Sequence, residues 1–231
     1  MVKAAIIGCG KIAQVRHIPE YLEHQAVNLV GFYDLNEKRA EELAEKYGGK
    51  AYGSVEELLA DPQIDAVSIC TANHTHAELT IKALKAGKHV LCEKPMAITL
   101  EECQRMVECA EENHRKLLIG QNQRLTRTHQ MARKLIADGE IGNVLSFQTS
   151  FQHSGPESWS VDAGKNTWFF QKKAAAMGVM GDLGIHKTDL IQYLLDDQIV
   201  EVTAEFSTLD KCYENGEKID VEDQALCIYQ M

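Results

Sequence analysis

Residues 2–13 read VKAAIIGCGKIA: a β-rich apolar run, then Gly8-Cys9-Gly10, then Lys11-Ile12-Ala13 opening a helical pattern. A strand that ends on G-x-G-x-x-A and turns straight into a helix is the βα corner of a dinucleotide-binding unit. Its glycines allow a tight turn and let a pyrophosphate approach backbone amides at a helix N-terminus. Six letters alone are weak evidence, because glycine turns are common. The strand before and the helix after are what favour the reading.

Working outward, short apolar runs alternate with helical patterns through the first half of the chain. Strands are predicted at 2–7, 27–33, 66–70, 88–92 and 117–119, and helices at about 12–24, 37–47, 55–60, 76–86 and 100–114. That alternation is the pattern of a parallel sheet covered on both faces. Ser54 with Glu57 and Thr99 with Glu102 form S/T-x-x-E capping boxes, and Gly87 closes a helix at its C-terminus.

Beyond about residue 120 the pattern changes. A helix over 127–137 leads into an alternating strand over 144–152, an irregular stretch rich in Gly, Trp and Lys, a helix over 182–195, and strands over 200–208 and 224–230. The expected architecture is therefore α/β. A doubly wound parallel sheet occupies 1–120, and an α+β domain with a mainly antiparallel open sheet occupies 121–231. So few strands would leave a bare sheet edge, so the second domain is expected to be incomplete at its C-terminus.

Composition narrows the partners. A formal charge of −10 disfavours nucleic acid and anionic membranes, which reward a basic face. No apolar stretch is long enough to span a bilayer, and the N-terminus enters a strand without a basic leader. Seven cysteines without C-x-x-C pairs suit a reducing compartment, so a cytoplasmic protein acting on a small molecule is expected. Cys9, Cys70 and Cys92 read as small buried hydrophobes.

Four further features carry chemistry. Asp34 ends the second strand, 21 residues beyond Ala13, at the acidic position that hydrogen-bonds the adenosine ribose and repels a 2′-phosphate. NAD is therefore favoured, although Lys38 and Arg39 in the following turn supply cations for NADP; the alternative is that Asp34 only begins a turn capped by Asn36. Thr71-Ala72-Asn73-His74-Thr75-His76 follows the next strand at the ligand-binding edge. His74 and His76 have no third ligand nearby, so no metal is expected, and helix capping by Asn73 or Thr75 is the plain alternative. Glu93-Lys94-Pro95 stiffens the turn after 88–92 and puts Lys94 at that same edge, where an amine can stabilise a developing alkoxide; a solvated turn lysine is the alternative. Asp182 and His186, four apart on a helix, share a face, so the carboxylate can orient the imidazole, or they are an N-cap and a core histidine.

Taken together and in this order, GCGKIA, Asp34, TANHTH, EKP and GDLGIHKTD resemble the glucose–fructose oxidoreductase/inositol dehydrogenase/MocA family of oxidoreductases over essentially the whole chain. The resemblance implies a Rossmann domain followed by a substrate-binding α/β domain whose sheet forms a homodimer or homotetramer interface. It implies an NAD(P)-dependent dehydrogenase acting on a sugar, polyol or cyclitol, with Lys94, Asp182 and His186 meeting at the nicotinamide. The cofactor set would be Gly8, Gly10, Lys11, Ile12, Asp34, Thr71, Asn73, His76, Glu93 and Lys94. Arg124, His153 and Trp168 are candidate substrate contacts. Two positions depart from the family pattern: Ala72 replaces a proline, and Ala176-Met177-Gly178 replaces a glycine-rich run. Members of that family continue well past Met231, which is a second reason to expect a fragment. The rival reading is a non-catalytic NAD or sugar sensor; retention of Lys94, Asp182 and His186 together argues against it.

Overall fold

The computed structural model describes residues 1–231. In chain order the elements of the first sheet and its helices are β1 (Val2–Ile7), α1 (Ile18–Glu23), β2 (Val27–Tyr33), α2 (Glu37–Tyr47), β3 (Lys50–Ala51), α3 (Val55–Ala60), β4 (Ala66–Ile69), α4 (His76–Lys85), β5 (His89–Cys92), α5 (Leu100–Glu112) and β6 (Leu117–Ile119). All six strands are parallel, in the order β3-β2-β1-β4-β5-β6. This is the doubly wound Rossmann order. The chain leaves β1 toward β2 on one side and resumes at β4 on the other, so a crevice opens at the carboxyl end of β1.

The sheet is covered on both faces because its strands are apolar on both. Side chains alternate along a strand, and β1 sends Ala5 and Ile7 into one core with α3, α4 and α5, and Ile6 into another with Ile18, Phe32, Ala40 and Leu43. Phe32, Ile6, Ile7 and Leu58 are fully buried.

The helices start where the caps indicated. Asn36, Ser54 and Thr99 each accept the amide of the residue three further on. The return contacts are displaced by one residue: Glu57 accepts the Gly53 amide and Glu102 the Ile98 amide, so each glutamate ties down the residue before the cap.

The chain divides into two compact units, Met1–Gly120 with Trp159–Ala163, and Gln121–Ser158 with Gly164–Met231. The later elements are α6 (Arg127–Ala137), α7 (Pro156–Trp159), α8 (Lys172–Ala175), α9 (Ile185–Leu195), β7 (Glu201–Ser207) and β8 (Gln224–Gln230), with β7 and β8 paired antiparallel.

Several expectations are corrected. The alternating stretch 144–152 joins no ladder, and Leu145 stands 95% exposed. Alternation marks a two-faced pattern, whereas a strand also needs a neighbour to take its amides and carbonyls. The helices expected from Ile12 and Asp182 each begin as a π-turn, Ala13–His17 before α1 and Met180–Gly184 before α9. Two residues of β3 are too few for any periodicity to reveal.

Replacing Phe32 with Ala is expected to cost about 3–5 kcal/mol, from lost transfer energy plus a cavity. The check is urea unfolding of the first unit; a loss below about 1 kcal/mol would contradict so tight a packing around the ring.

Candidate cofactor and catalytic site

The glycine corner is built by two different constraints. Gly8 has φ +92°, and a Cβ there would lie 2.7 Å from the Cys70 carbonyl, so the turn passes too close to the end of β4 for any side chain. A Cβ on Gly10 would meet nothing within 4 Å. The protein itself leaves that space, at the mouth of a helix whose first turn closes when the Gln14 amide donates to the Gly10 carbonyl. Amides ahead of that bond have no partner within the helix, which is the donor set a pyrophosphate takes. The residues therefore fit a dinucleotide.

Asp34 fixes this corner to the second strand. Its Oδ2 accepts the Cys9 amide at 2.7 Å; its Oδ1 accepts the Asn36 amide at 2.8 Å and the Arg39 guanidinium at 3.3 Å. Asp34 thus shapes the turn before α2, and its carboxylate lies beside the glycine loop. Burial, followed by the Asp34 charge, pushes the Cys9 thiol up to about 12, so the middle residue of the loop stays a neutral hydrophobe.

At the end of β5 the Glu93-Lys94-Pro95 turn, with a cis Lys94–Pro95 peptide, rests on buried polar contacts that the sequence did not disclose. The Glu93 Oε1 lies 2.8 Å from His17 Nε2, and Oε2 accepts the Lys94 amide at 3.2 Å. The other ring nitrogen of His17 faces Ser68 Oγ at 3.2 Å, and Ser68 also bonds the Tyr21 hydroxyl at 2.5 Å. Burial drives the Glu93 carboxyl up, but the His17 hydrogen bond and the charges of His17 and Lys94 outweigh it, so Glu93 is held below its ordinary range. Its carboxylate thus holds the turn.

His76 ties that turn to the loop after β4. Its Nδ1 lies 2.7 Å from the Pro95 carbonyl and its Nε2 3.1 Å from the Thr71 carbonyl. Burial lowers its basicity more than the two carbonyls raise it. Whichever ring nitrogen carries the proton donates to one of the two carbonyls, and the ring lies between the two loops. Thr71 Oγ1 bonds Thr75 Oγ1, Asn73 is buried, and Lys11, Ile12 and Lys94 are half-buried along the same edge.

In the second unit Asp182 lies in the π-turn and His186 in the first turn of α9, where His186 is 8% exposed. Asp182 Oδ2 is 3.3 Å from Nε2 of His153, an imidazole expected only to touch substrate. Phe151 packs near both histidines, with ring centroids 6.5 Å from His153 and 6.0 Å from His186. His153 and Asp182 also line a cavity with Phe169, Phe170, Lys211 and Glu222. Arg124 is held by both carboxylate oxygens of Asp189 and lies over the Tyr193 ring, which makes it a packing element within this unit. Trp168 stacks on Phe169 with centroids 3.8 Å apart.

The departure at Ala176 has a structural cost. Its φ of +66° lies in a region that an L side chain rarely adopts, at a position in the run where the resembling family carries glycines.

Comparison with known proteins bears on the whole chain. Residues 2–121 match a family described as an oxidoreductase family with an NAD-binding Rossmann fold, and residues 129–231 match the GFO/IDH/MocA C-terminal domain. Glucose-6-phosphate 3-dehydrogenase of Bacillus subtilis is 34% identical over 97% of this chain and 63% of its own length. Myo-inositol 2-dehydrogenase of Thermotoga maritima is 31% identical over 90% of this chain and 59% of its own. The crystal structure of GenD2 from gentamicin A biosynthesis in complex with NAD superposes with a TM-score of 0.88 at 28% identity, covering 99% of this chain and 62% of that one. The chain thus spans less than two thirds of the length of these relatives. No helix is long and apolar enough to cross a membrane.

Two outcomes are expected. Gly10→Val should abolish NAD binding in titration calorimetry while shifting the thermal midpoint only slightly, because the new side chain enters space the protein leaves open; retained NAD affinity would reject the cradle. Ala176→Gly should stabilise the second unit by about 1 kcal/mol in chemical denaturation, relieving the positive φ. An unchanged or lower midpoint would show that the position carries no strain.

Proposed function

This chain belongs to the Gfo/Idh/MocA family of oxidoreductases, and from that membership we propose that it is an NAD(P)-dependent dehydrogenase acting on a hydroxyl-bearing carbon of a sugar, polyol or cyclitol. The observation that carries the reading is the glycine corner, where open space at Gly10 meets a carboxylate fixed beside it. Relatives named for oxidation of glucose 6-phosphate and myo-inositol support the substrate class.

When bound, the nicotinamide supplies the hydride acceptor or donor. This chain's residues supply the rest. In the oxidative direction the Lys94 amine donates a hydrogen bond to the reacting hydroxyl and stabilises the charge that grows on its oxygen. His186 takes the hydroxyl proton, since an imidazole titrates near neutral pH and its burial limits competition from water. Asp182 stabilises the imidazolium that results. Homo-oligomerisation belongs to the same proposal, with the exposed Leu226 and Ile228, on one face of the β7–β8 sheet, as part of its apolar surface. A cytoplasmic location fits seven free cysteines.

His186→Ala is expected to lower kcat by about two to four orders of magnitude, the usual worth of general acid–base catalysis, with NAD affinity intact. The assay is NADH and NADPH absorbance over a panel of aldoses and cyclitols. A His186→Ala protein as active as the parent would remove the assignment.

A further inference from the structure

Arg39 is one of two cations after β2 that a 2′-phosphate could use, yet its guanidinium is already occupied on two sides. Nη1 donates to Asp34 Oδ1 at 3.3 Å and Nη2 to Asp162 Oδ1 at 2.5 Å. Asp162 comes from far along the chain, in the segment Trp159–Ala163 that is compact with the first unit. The Arg39 side chain is 17% exposed, whereas Asp162 is 70% exposed. Two carboxylates therefore surround one guanidinium at the end of β2. The other cation, Lys38, is exposed and lies 3.8 Å from Glu42.

We propose that Asp162 is a cofactor-specificity residue: by holding Arg39 from the side opposite Asp34 it neutralises the cation that a 2′-phosphate would need, and so sets the site for NAD over NADP. This rests on the dehydrogenase reading and deepens it. A phosphate monoester carries about −1.5 to −2 at neutral pH. To use Arg39 it must displace Asp162 from the guanidinium. NAD brings no such charge. Asp162 bonds the Arg39 guanidinium and, through its own amide, Ser160 Oγ, whereas the glycine corner is held by Asp34, so the effect of Asp162 on NAD should be small.

The distinction from Asp34 matters. Asp34 repels a 2′-phosphate directly and also shapes the loop, so its removal confounds specificity with folding. Asp162 is exposed and lies outside the sheet, so a change there isolates the electrostatic effect.

The test is calorimetric binding of NAD, NADP and 2′,5′-ADP to the whole chain as wild type, Asp162→Asn, Arg39→Ala and the double variant. The wild type should bind NAD more tightly than NADP. Asp162→Asn should tighten NADP and 2′,5′-ADP by about fivefold to tenfold, the scale of a partly screened charge pair, and move NAD by less than about twofold. That gain should disappear in the Arg39→Ala background, because the two residues act through one contact. Unmoved NADP affinity in Asp162→Asn, or an equal gain without Arg39, overturns the proposal while NAD binding leaves the dehydrogenase reading standing. A wild type that binds no NAD overturns both.

Discussion

The Asp34 carboxylate is the contact on which the cofactor edge depends. It accepts the Cys9 amide from the glycine corner, the Asn36 amide that begins α2, and the Arg39 guanidinium on that helix. A buried carboxylate is tolerated only when its lone pairs are met, and here two backbone amides and a cation meet them. The same contacts hold the βα corner against the end of β2, so the loop is shaped before any nucleotide arrives. Preorganisation of this kind reduces what binding must spend on ordering. Arg39 extends the chain of contacts one step further, to Asp162.

A second buried system steadies the turn that carries Lys94. Three elements contribute: His17 from the π-turn before α1, Ser68 from β4, and Glu93 at the end of β5. His76 adds a brace from α4 to the Pro95 carbonyl. The π-turn is relevant to the first of these. One extra residue in the helical ladder changes which side chains face the sheet, and here it accompanies a histidine directed at the Glu93 carboxylate. Polar groups this buried are stabilising only as a complete set. Losing one partner would leave a desolvated group behind, so the rigidity of the lysine turn is a property of the network and not of any one bond.

Much of the first unit was legible because its signals are local. Strands buried on both faces read as continuous apolar runs, Asn36, Ser54 and Thr99 announced their helices, and Gly8 announced the corner. What escaped was set by contacts between distant residues. Nothing near His17 or Glu93 in sequence signals that they pair, since they are 76 positions apart. Nothing in the TANHTH run signals that the His76 ring lies between the Pro95 and Thr71 carbonyls. The stretch 144–152 had the alternation of a strand without a neighbour to pair with, and alternation is a statement about faces, not about hydrogen bonds. The pairing of Asp182 with His153 was hidden for a similar reason. The sequence offered His186 at helical spacing, and no rule of spacing reaches 29 residues back.

The segment that carries Asp182 and His186 is positioned by the alternation of β8. Along that strand Ala225, Cys227 and Tyr229 are half-buried, while Leu226 and Ile228 on the other face are exposed. The inward face anchors the helix: the Tyr229 hydroxyl bonds Thr188 of α9 at 2.8 Å, and Cys227 Sγ lies 3.9 Å from Met180 Sδ in the π-turn. Just before the strand, the Glu222 carbonyl accepts the Val179 amide at 2.9 Å and its carboxylate accepts the Met180 amide at 3.0 Å. Backbone and side chain of one glutamate thereby fix the start of the π-turn, and Tyr229 fixes the helix a turn further on. A slip of one residue in β8 would exchange the two faces, turning Leu226 and Ile228 toward α9 and removing Tyr229 from Thr188. The pleat of one strand thus determines where the carboxylate and the imidazole are held.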